Sequence, residues 1–506
     1  MAAKGKKKVL LLLPRPGPGI NAPGVPLTLL AVSSLIDQKR FDVRIYGATP
    51  KYDYVERLKR NLDNAVCLAV SSLTGMQIQA AIDAIAEVKK INPTLPIVWG
   101  GWHASILPEQ TLKSRYADVV VIGQGERTMA ELVERLASGQ SLKGLKGIYY
   151  KGNGKIVKNQ PRPFEDINSF PRMPFGKVNI EDFVWEKGKE RAVSIMTSQG
   201  CPFNCGFCAD PLVYCRRWSG LKPKKVVNDI QYLAKRHGIN TFYIIDENFF
   251  VDVKRVREIC REIIRRKLRI KWGRVNGRTT QLVNMGEETW ELLKKSGCFE
   301  ILVGAESGLQ EGLDLINKMT TVEDTCRLVE LARKHKIEIT PSLMVGLPFP
   351  AYGKMKTMEE KRALAEKELN AILDMLDECY PTKDYFEILL FVYTPYPGNP
   401  MFEMSKKLGF KEPKSLEGWV NFDIVQHNLP WLPEEIYSQT MQLLDFVFPY
   451  SCNRYMERHS SYFRPVHWLF HQTALFRWRH RFFSFPVEHW MLLFFRRARQ
   501  SLQKFR

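Results

Sequence analysis

The feature that most constrains this chain is Cys201-Pro-Phe-Asn-Cys205-Gly-Phe-Cys208, three cysteines at C-x3-C-x2-C spacing. They follow Val193-Ser-Ile-Met-Thr-Ser-Gln-Gly200, which reads as a short strand ending in a glycine turn. A structural zinc ion takes four protein ligands, and a [4Fe–4S] cluster also usually takes four thiolates. Three thiolates on one tight loop leave one iron of such a cluster free to bind a small molecule. The competing readings are a zinc knuckle and a trio of buried core thiols. Against a zinc site, the other seven cysteines (Cys67, Cys215, Cys260, Cys298, Cys326, Cys379, Cys452) are scattered and make no second close pair.

A length of 506 residues suggests about three domains at ~150 residues each. A hydrophobic fraction of 45% with 25% charged residues is that of a globular protein. Nothing resembles a signal peptide. The run Val9–Leu13 after Lys6-Lys7-Lys8 is stopped by Pro14, far short of the ~18 apolar residues of a membrane span. The expectation is a cytoplasmic protein with reduced cysteines, which suits an oxygen-sensitive cluster. The net charge of +21 calls for an anionic partner: nucleic acid, an anionic membrane surface or acidic substrates.

Before the cysteines, strand and helix patterns alternate. Strands are predicted at Lys8–Leu13, Asp42–Tyr46, Ala65–Ser71, Pro96–Trp99 and Val119–Ile122. Helices are predicted at Leu27–Gln38, near Val55–Leu62, and at Ile78–Ile91, Glu109–Ser114 and Thr128–Ala137. Such alternation predicts a doubly wound, Rossmann-like parallel sheet, whose ligands sit at the loops beyond the strand C-terminal ends. Those loops are Ser71-Ser-Leu-Thr-Gly75, Gly100-Gly-Trp-His-Ala-Ser105 and Gly123-Gln-Gly-Glu126, with a loop of Pro14–Gly19 after the first strand. A flavodoxin-like module without a cofactor is the competing reading. Residues 144–158 read as a hairpin turning at Gly152-Asn-Gly154, and Pro161, Pro163, Pro171 and Pro174 mark an extended connector.

After the cysteines the alternation resumes. Strands end at Ile245, Gly273, Val303, Val345 and Val392, with helices Pro223–His237, Val253–Lys267, Glu287–Ser296, Val322–His335 and, near Thr357–Cys379, a long one between them. With the strand before Cys201 this makes six β/α units, a partial barrel whose active-site residues belong at strand C-terminal ends. Asp246 and Glu247 end one strand, Glu306 and Ser307 another, and Gly346 a third. A helix N-cap competes for Asp246, and a tight turn competes for Gly346 and Met344 before it. Arg274 and Arg278 are candidates for holding a carboxylate, although helix-start arginines are common.

Gly200-Cys-Pro-Phe-Asn-Cys-Gly-Phe-Cys208 resembles the cluster loop of the radical S-adenosylmethionine (SAM) superfamily. Gly100-Gly101-x-His103 with Pro108-Glu109, and Ile122-Gly-x-Gly-Glu126, resemble the cobalamin-binding domain that precedes that core in one large subclass. The resemblance implies a fold of an N-terminal Rossmann-like cobalamin-binding domain (1–140), a linker (141–186), a partial (β/α)6 radical SAM core (187–410) and a mainly helical C-terminal extension (411–506). It implies that Cys201, Cys205 and Cys208 hold a [4Fe–4S] cluster, and that Phe207, Asp246, Glu247, Glu306, Ser307 and Gly346 contact SAM. Ser71, Leu73, Thr74, Gly100, Gly101, His103, Gly123, Gly125 and Glu126 would contact cobalamin. The chain has no Asp-x-His-x-x-Gly, so no residue is set up by that motif as a lower cobalt ligand. His103 would instead bond the corrin periphery or cap the next helix.

The family's commonest reaction in this subclass is methylation of an unactivated carbon. One SAM methylates Co(I), and another yields the 5′-deoxyadenosyl radical that prepares the carbon for the methyl of methylcobalamin. A reductant such as flavodoxin or ferredoxin is implied. Two alternatives stand beside it: a non-methylating enzyme similar to the anaerobic cyclase of chlorophyll ring formation, and an RNA-modifying methylthiotransferase. The last is disfavoured because residues 1–186 hold only Cys67, too few for a second cluster. Residues 454–506 carry eleven Lys and Arg against Glu457 and Glu488, interleaved with Trp and Phe. In the last helix Met491, Phe494, Phe495, Ala498, Leu502 and Phe505 share one face, and Arg496, Arg497, Arg499, Gln503 and Lys504 take the other. This predicts either peripheral binding to the inner face of a membrane, with a lipid- or porphyrin-like substrate, or a helix packed on the barrel. Nucleic acid ranks third, for want of a recognisable RNA module.

Overall fold

The computed structural model describes residues 5–15, 24–49, 51–422, 429–453 and 464–494. Strands β1 (Lys7–Leu13), β2 (Phe41–Gly47), β3 (Ala65–Ser71), β4 (Ile97–Gly100) and β5 (Val119–Val121) run parallel in the order β2-β1-β3-β4-β5. Helices α1 (Leu27–Ser33), α2 (Tyr54–Lys59), α3 (Met76–Ile91), α4 (Trp102–Ile106), α5 (Pro108–Lys113) and α6 (Glu126–Ser138) connect and cover them. The aliphatic run of β1 is buried on both faces. Val9 and Leu11 pack with Leu29, Met129 and Leu132, whereas Leu10 and Leu12 pack with Ile78, Ile82 and Ile85. Helix α1 stops five residues before the predicted Gln38, whose amide folds back onto the carbonyls of Ser33 and Ile36. The hairpin β6 (Ile148–Gly152) and β7 (Lys155–Lys158) adds two antiparallel strands to the β5 edge of the same sheet. Of the predicted loop after β1, Pro16–Gly19 lie outside the described residues.

The second half begins with β8 (Trp185–Lys187), β9 (Glu190–Ile195), β10 (Ser198–Gly200), α7 (Asp210–Tyr214) and β11 (Trp218–Gly220). Then come α8 (Pro223–His237), β12 (Thr241–Ile244), α9 (Val253–Arg265), β13 (Lys271–Gly273), β14 (Val275–Gly277), α10 (Thr279–Val283) and α11 (Glu287–Lys295). The last part holds β15 (Glu300–Glu306), α12 (Gln310–Leu315), α13 (Val322–Lys334), β16 (Glu338–Val345), α14 (Met358–Cys379) and β17 (Leu389–Val392). Strands β9, β12 and β13 are parallel neighbours, as are β14 to β17, and a Trp272–Cys298 bridge links the two groups.

Three details differ from the sequence expectation. The strand before Cys201 ends at Ile195, because the Thr197 amide that would extend it donates to Asp246. Ser198–Gly200 pairs instead, antiparallel, with β11. The third barrel strand is interrupted at Arg274, whose φ of 52° is left-handed; its guanidinium reaches Glu387 and Glu300. Arg274 is thus a structural ion-pair partner at this kink. Finally, Cys326 on α13 and Cys379 on α14 form a disulfide with Cα atoms 4.6 Å apart, so the expectation of reduced cysteines fails for this pair.

After α15 (Pro400–Lys407) the C-terminal extension is helical: α16 (Glu434–Gln442), α17 (Phe448–Ser451) and the helix Arg464–Arg479. The last of these docks on α14. Trp478 is buried, donates to Asp377 and lies under Lys383, while Arg481 pairs with Asp374 and Asp377. Buried Arg477 pairs with Glu488. These tail arginines are spent on acids of the protein rather than left to solvent. Of the predicted terminal helix, residues 495–505 lie outside the described residues, as do Arg454, Glu457 and Arg458. No helix among the described residues is long and apolar enough to cross a membrane.

Candidate active site

The cluster loop leaves β10 at Gly200 and is held by its neighbours at every turn. Gly206 donates to the Ile316 carbonyl and Asn317 to the Asn204 carbonyl, while Asn399 donates to the Phe207 carbonyl. Cys201, Cys205 and Cys208 are free thiols, each partly exposed. Burial, with the Asp210 charge next among the raising causes, pushes Cys201 up to about 11 and Cys208 up to about 12. The bare loop therefore keeps Cys201 and Cys208 protonated, and metal binding there must release protons. One cation already faces the loop. Arg278, buried at the start of α10, donates to Cys205 Sγ at 3.2 Å and to the Lys318 carbonyl, with its guanidinium 4.3 Å from the Phe203 ring centroid.

The strand ends carry the predicted acids, in three different states. Asp246 is fully buried, and its carboxylate accepts from Thr197 N, Thr197 Oγ1 and Ser198 Oγ, each at 2.6 Å. It braces β12 against the chain entering the cluster loop. Glu247 accepts from Gly200 N at 3.2 Å, and burial together with the Asp210 charge raises its carboxyl to about 8. Asp210 itself is buried with neither oxygen in a close hydrogen bond among the described residues, and burial lifts it to about 7 against the lowering pull of the Cys201 backbone. Glu306 sits past a bulge in β15 with a φ of 65° and forms a buried ion pair with Lys318 at 2.6 Å. A bulge and a left-handed non-glycine residue at a strand end are strained features that cluster at functional sites. A Cβ on Gly304 would lie 2.2 Å from Glu306 Oε1, so glycine makes room for the pair. Ser307 is buried and its hydroxyl accepts from Leu309 N. Gly346 donates to Glu368 and accepts from Trp431 Nε1, which fixes its peptide from both sides.

The three glycine loops lie at the C-terminal ends of β3, β4 and β5 as expected. Thr74 Oγ1 and His103 Nδ1 share a hydrogen bond of 3.0 Å. Burial lowers His103 to about 3, so the ring is neutral, and its Nε2 is buried without a partner against the Trp419 ring. Leu73 is exposed, and Ser71 and Gly100 end their strands half-buried. Gly101 needs its φ of 85°, and a Cβ there would strike the Ser72 carbonyl at 2.7 Å. Gly123 N is held by Ser105 Oγ, and Gly125 leads into α6.

Glu126 opens α6 at the third glycine loop. It is buried and accepts from Gln199 Nε2 at 2.6 Å, while Gln124 donates to Gln199 Oε1 at 3.0 Å. The third glycine loop therefore grips a residue two places before Cys201. The Gly123 backbone also approaches the Val213 carbonyl of α7, the helix that follows Cys208. The two sets of loops meet at one junction.

The groups that each site would hold can be tested against these residues. Three soft sulfur donors on one partly exposed loop, with an arginine facing one of them, fit an iron–sulfur cluster. Among the described residues, no three His, Cys, Asp or Glu converge as a single metal ion would require. The orphaned polar atoms Ser72 Oγ and His103 Nε2 beside Gly101 fit a large ligand with a polar rim. Sequence reasoning missed Gln199, Lys318, Glu368, Trp419 and Trp431. Each acts through a long-range contact that no local spacing announces.

The profile of the Radical SAM superfamily matches residues 195–359, and that of the B12 binding domain matches residues 20–133. The chain joins a B12-binding domain to a radical SAM domain, the architecture of cobalamin-dependent radical SAM enzymes; the cofactors of these domains are a [4Fe–4S] cluster, SAM and cobalamin. An uncharacterized methyltransferase of Pyrococcus horikoshii is 28% identical over 410 residues, covering 78% of this chain and 82% of that protein. The anaerobic magnesium-protoporphyrin IX monomethyl ester cyclase of Rubrivivax gelatinosus is 30% identical over 321 residues; the match covers 62% of this chain and only 54% of the cyclase. In fold, the chain is similar to the radical SAM methyltransferase TsrM of Kitasatospora setae with cobalamin and cluster bound. The TM-score is 0.65 at 18% identity, with 94% of this chain and all of that one covered.

Proposed function

We propose that this enzyme methylates an unactivated carbon of a hydrophobic, lipid- or porphyrin-like substrate at the junction of residues 1–140 and 187–410. The observation that carries the reading is the Glu126–Gln199–Gln124 contact, which sets the glycine loops of the B12-binding domain against the cluster loop. Bound there, the cluster with SAM would supply one-electron chemistry, and cobalamin a methyl group. Cys201, Cys205 and Cys208 would hold the cluster. Glu247, which accepts from Gly200 N, would take the SAM amino group, and Glu306, fixed by Lys318, would face the ribose and carboxylate. Phe207, Ser307 and Gly346 would shape the rest of the SAM site, with Asp246 holding the strand end in register. Ser71, Leu73, Thr74, Gly100, Gly101, His103, Gly123 and Gly125 would line the cobalamin site. The methyltransferase name of the Pyrococcus relative supports methylation. The test is mass analysis of product formed with methyl-labelled SAM: a labelled carbon-bound methyl is expected, and label-free product refutes methylation.

The cyclase relative, at 30% identity, favours a second reading, oxidative ring formation without methyl transfer. Label-free product with a new ring is its signature. We also propose that the enzyme is cytoplasmic and works at the inner face of a membrane. Ten of the seventeen large apolar side chains exposed among the described residues lie between Val466 and Phe494, among them Trp468, Phe485 and Trp490. Such a cluster of exposed apolar side chains suits an interfacial site. The protein is expected to co-sediment with anionic liposomes and to be released by Trp468→Ser/Phe485→Ser/Trp490→Ser. Failure of the parent to sediment refutes the placement.

A further inference from the structure

The cluster must be reduced from outside, so some surface near it has to receive an electron donor. The outer side of the cluster loop has an unusual make-up. Asn204 is exposed at its tip. On one flank, Arg216 and Arg217 are both exposed, and Arg216 reaches the Pro202 carbonyl. On the other flank, Asn317 donates to the Asn204 carbonyl and Met319, 72% exposed, stands two residues further on. Neither arginine forms an ion pair among the described residues. On the Asn317 flank, exposed Asp314 accepts from Gln310.

The backbone around this patch is strained. Cys215, Arg216, Asn317 and Met319 have φ of 51°, 57°, 53° and 54°, although none is glycine. These left-handed positions cost free energy and collect at functional sites. Here they accompany two cations and a thioether turned to solvent on either side of the loop.

We propose that this face, formed by Pro202–Asn204, Arg216, Arg217 and Met319, is the docking surface for a small acidic one-electron donor of the flavodoxin or ferredoxin type. The inference rests on Cys201, Cys205 and Cys208 holding the cluster. Two exposed cations on one flank of the loop and an exposed thioether on the other match an acidic protein with an apolar rim around its redox centre, and transient electron-transfer complexes use small, electrostatically steered interfaces. In the docked complex one electron leaves the reduced flavin or cluster of the donor and enters the oxidised cluster; the donor is oxidised by that electron and no group is transferred.

The test is stopped-flow reduction of the reconstituted full chain by flavodoxin hydroquinone, beside reduction by dithionite. Arg216→Glu/Arg217→Glu and, separately, Met319→Glu are expected to slow the flavodoxin reaction by about tenfold or more. The salt dependence of the parent should disappear in the double variant, and the dithionite rate should be unchanged. Unchanged flavodoxin rates in both variants overturn the proposal. An equal loss with both reductants also overturns it, and gives these residues a structural role. If the cluster assignment itself is wrong, the parent shows no bleaching with dithionite, which separates that failure from failure of the docking surface.

Discussion

Replacing Arg278 with alanine tests how the cluster loop is held. The guanidinium is buried, donates to Cys205 Sγ at 3.2 Å and to the Lys318 carbonyl, and stacks over Phe203 at 4.3 Å. Each hydrogen bond from a charged donor contributes about 1.5–3 kcal/mol, and the cation–π contact about 0.5–2 kcal/mol. The three share one side chain and do not add, so a loss of about 3–4 kcal/mol for the local closed state is reasonable. That corresponds to a rise of ~100-fold or more in the open loop population. The Ala variant should take up less iron on anaerobic reconstitution and surrender it to a chelator ~100-fold faster, if chelation proceeds through the open loop. Arg278→Lys, which keeps a cation but loses the fork, should fall between. In the Ala variant the cluster potential should drop, since a hydrogen bond and a positive charge beside a sulfur favour the reduced form. If the Ala variant fills normally and loses iron at the parent rate, Arg278 does not brace the loop.

Three other outcomes follow from the same geometry. Asp246→Ala strips the acceptor from three donors and should cost about 3–5 kcal/mol in stability, read as a fall in melting temperature, with Asp246→Asn in between; an unshifted transition would remove its bracing role. Burial pushes Glu368 up to about 8 from an ordinary 4.5 while its carboxylate accepts from Gly346 N and Leu347 N. The folded state thus holds that proton more tightly, so the contribution of Glu368 to stability is greatest below pH 4.5 and declines as pH rises to 8, by roughly 5 kcal/mol at most. Glu368→Gln should flatten this decline in denaturation curves, and a slope unchanged from the parent would contradict it. Gly101→Val, which drives a Cβ into the Ser72 carbonyl, should abolish corrinoid binding while leaving iron content normal; retained corrinoid would show that this loop is not the cobalamin site.

Those parts of the molecule that depend on short-range pattern were legible in the sequence. The aliphatic run of β1 announced a strand buried on both faces, and the glycine loops after β3, β4 and β5 fell at strand ends where ligands bind. The break at Arg274 was hidden, because a left-handed arginine carries no glycine or proline signal and is held by Glu300 and Glu387 from other strands. Glu368 was equally hidden: on α14 it is one acid among Glu359, Glu360, Glu366, Asp374, Asp377 and Glu378, and only packing marks it as the buried one. Cys326 and Cys379, 53 residues apart, become neighbours only when α13 packs on α14. The pairing of Arg481 was hidden because its partners Asp374 and Asp377 lie on α14, in another domain. The junction itself depends on Gln199, a residue of no chemical distinction until the third glycine loop closes on it.

The most direct test of the account is the content of iron, sulfide and corrinoid per chain after anaerobic purification and reconstitution, beside Cys208→Ala. The account predicts one [4Fe–4S] cluster and one corrinoid in the parent, with the cluster lost and the corrinoid kept in the variant. A parent that fills with iron and binds no corrinoid would contradict the two-cofactor junction and remove the methyltransferase reading.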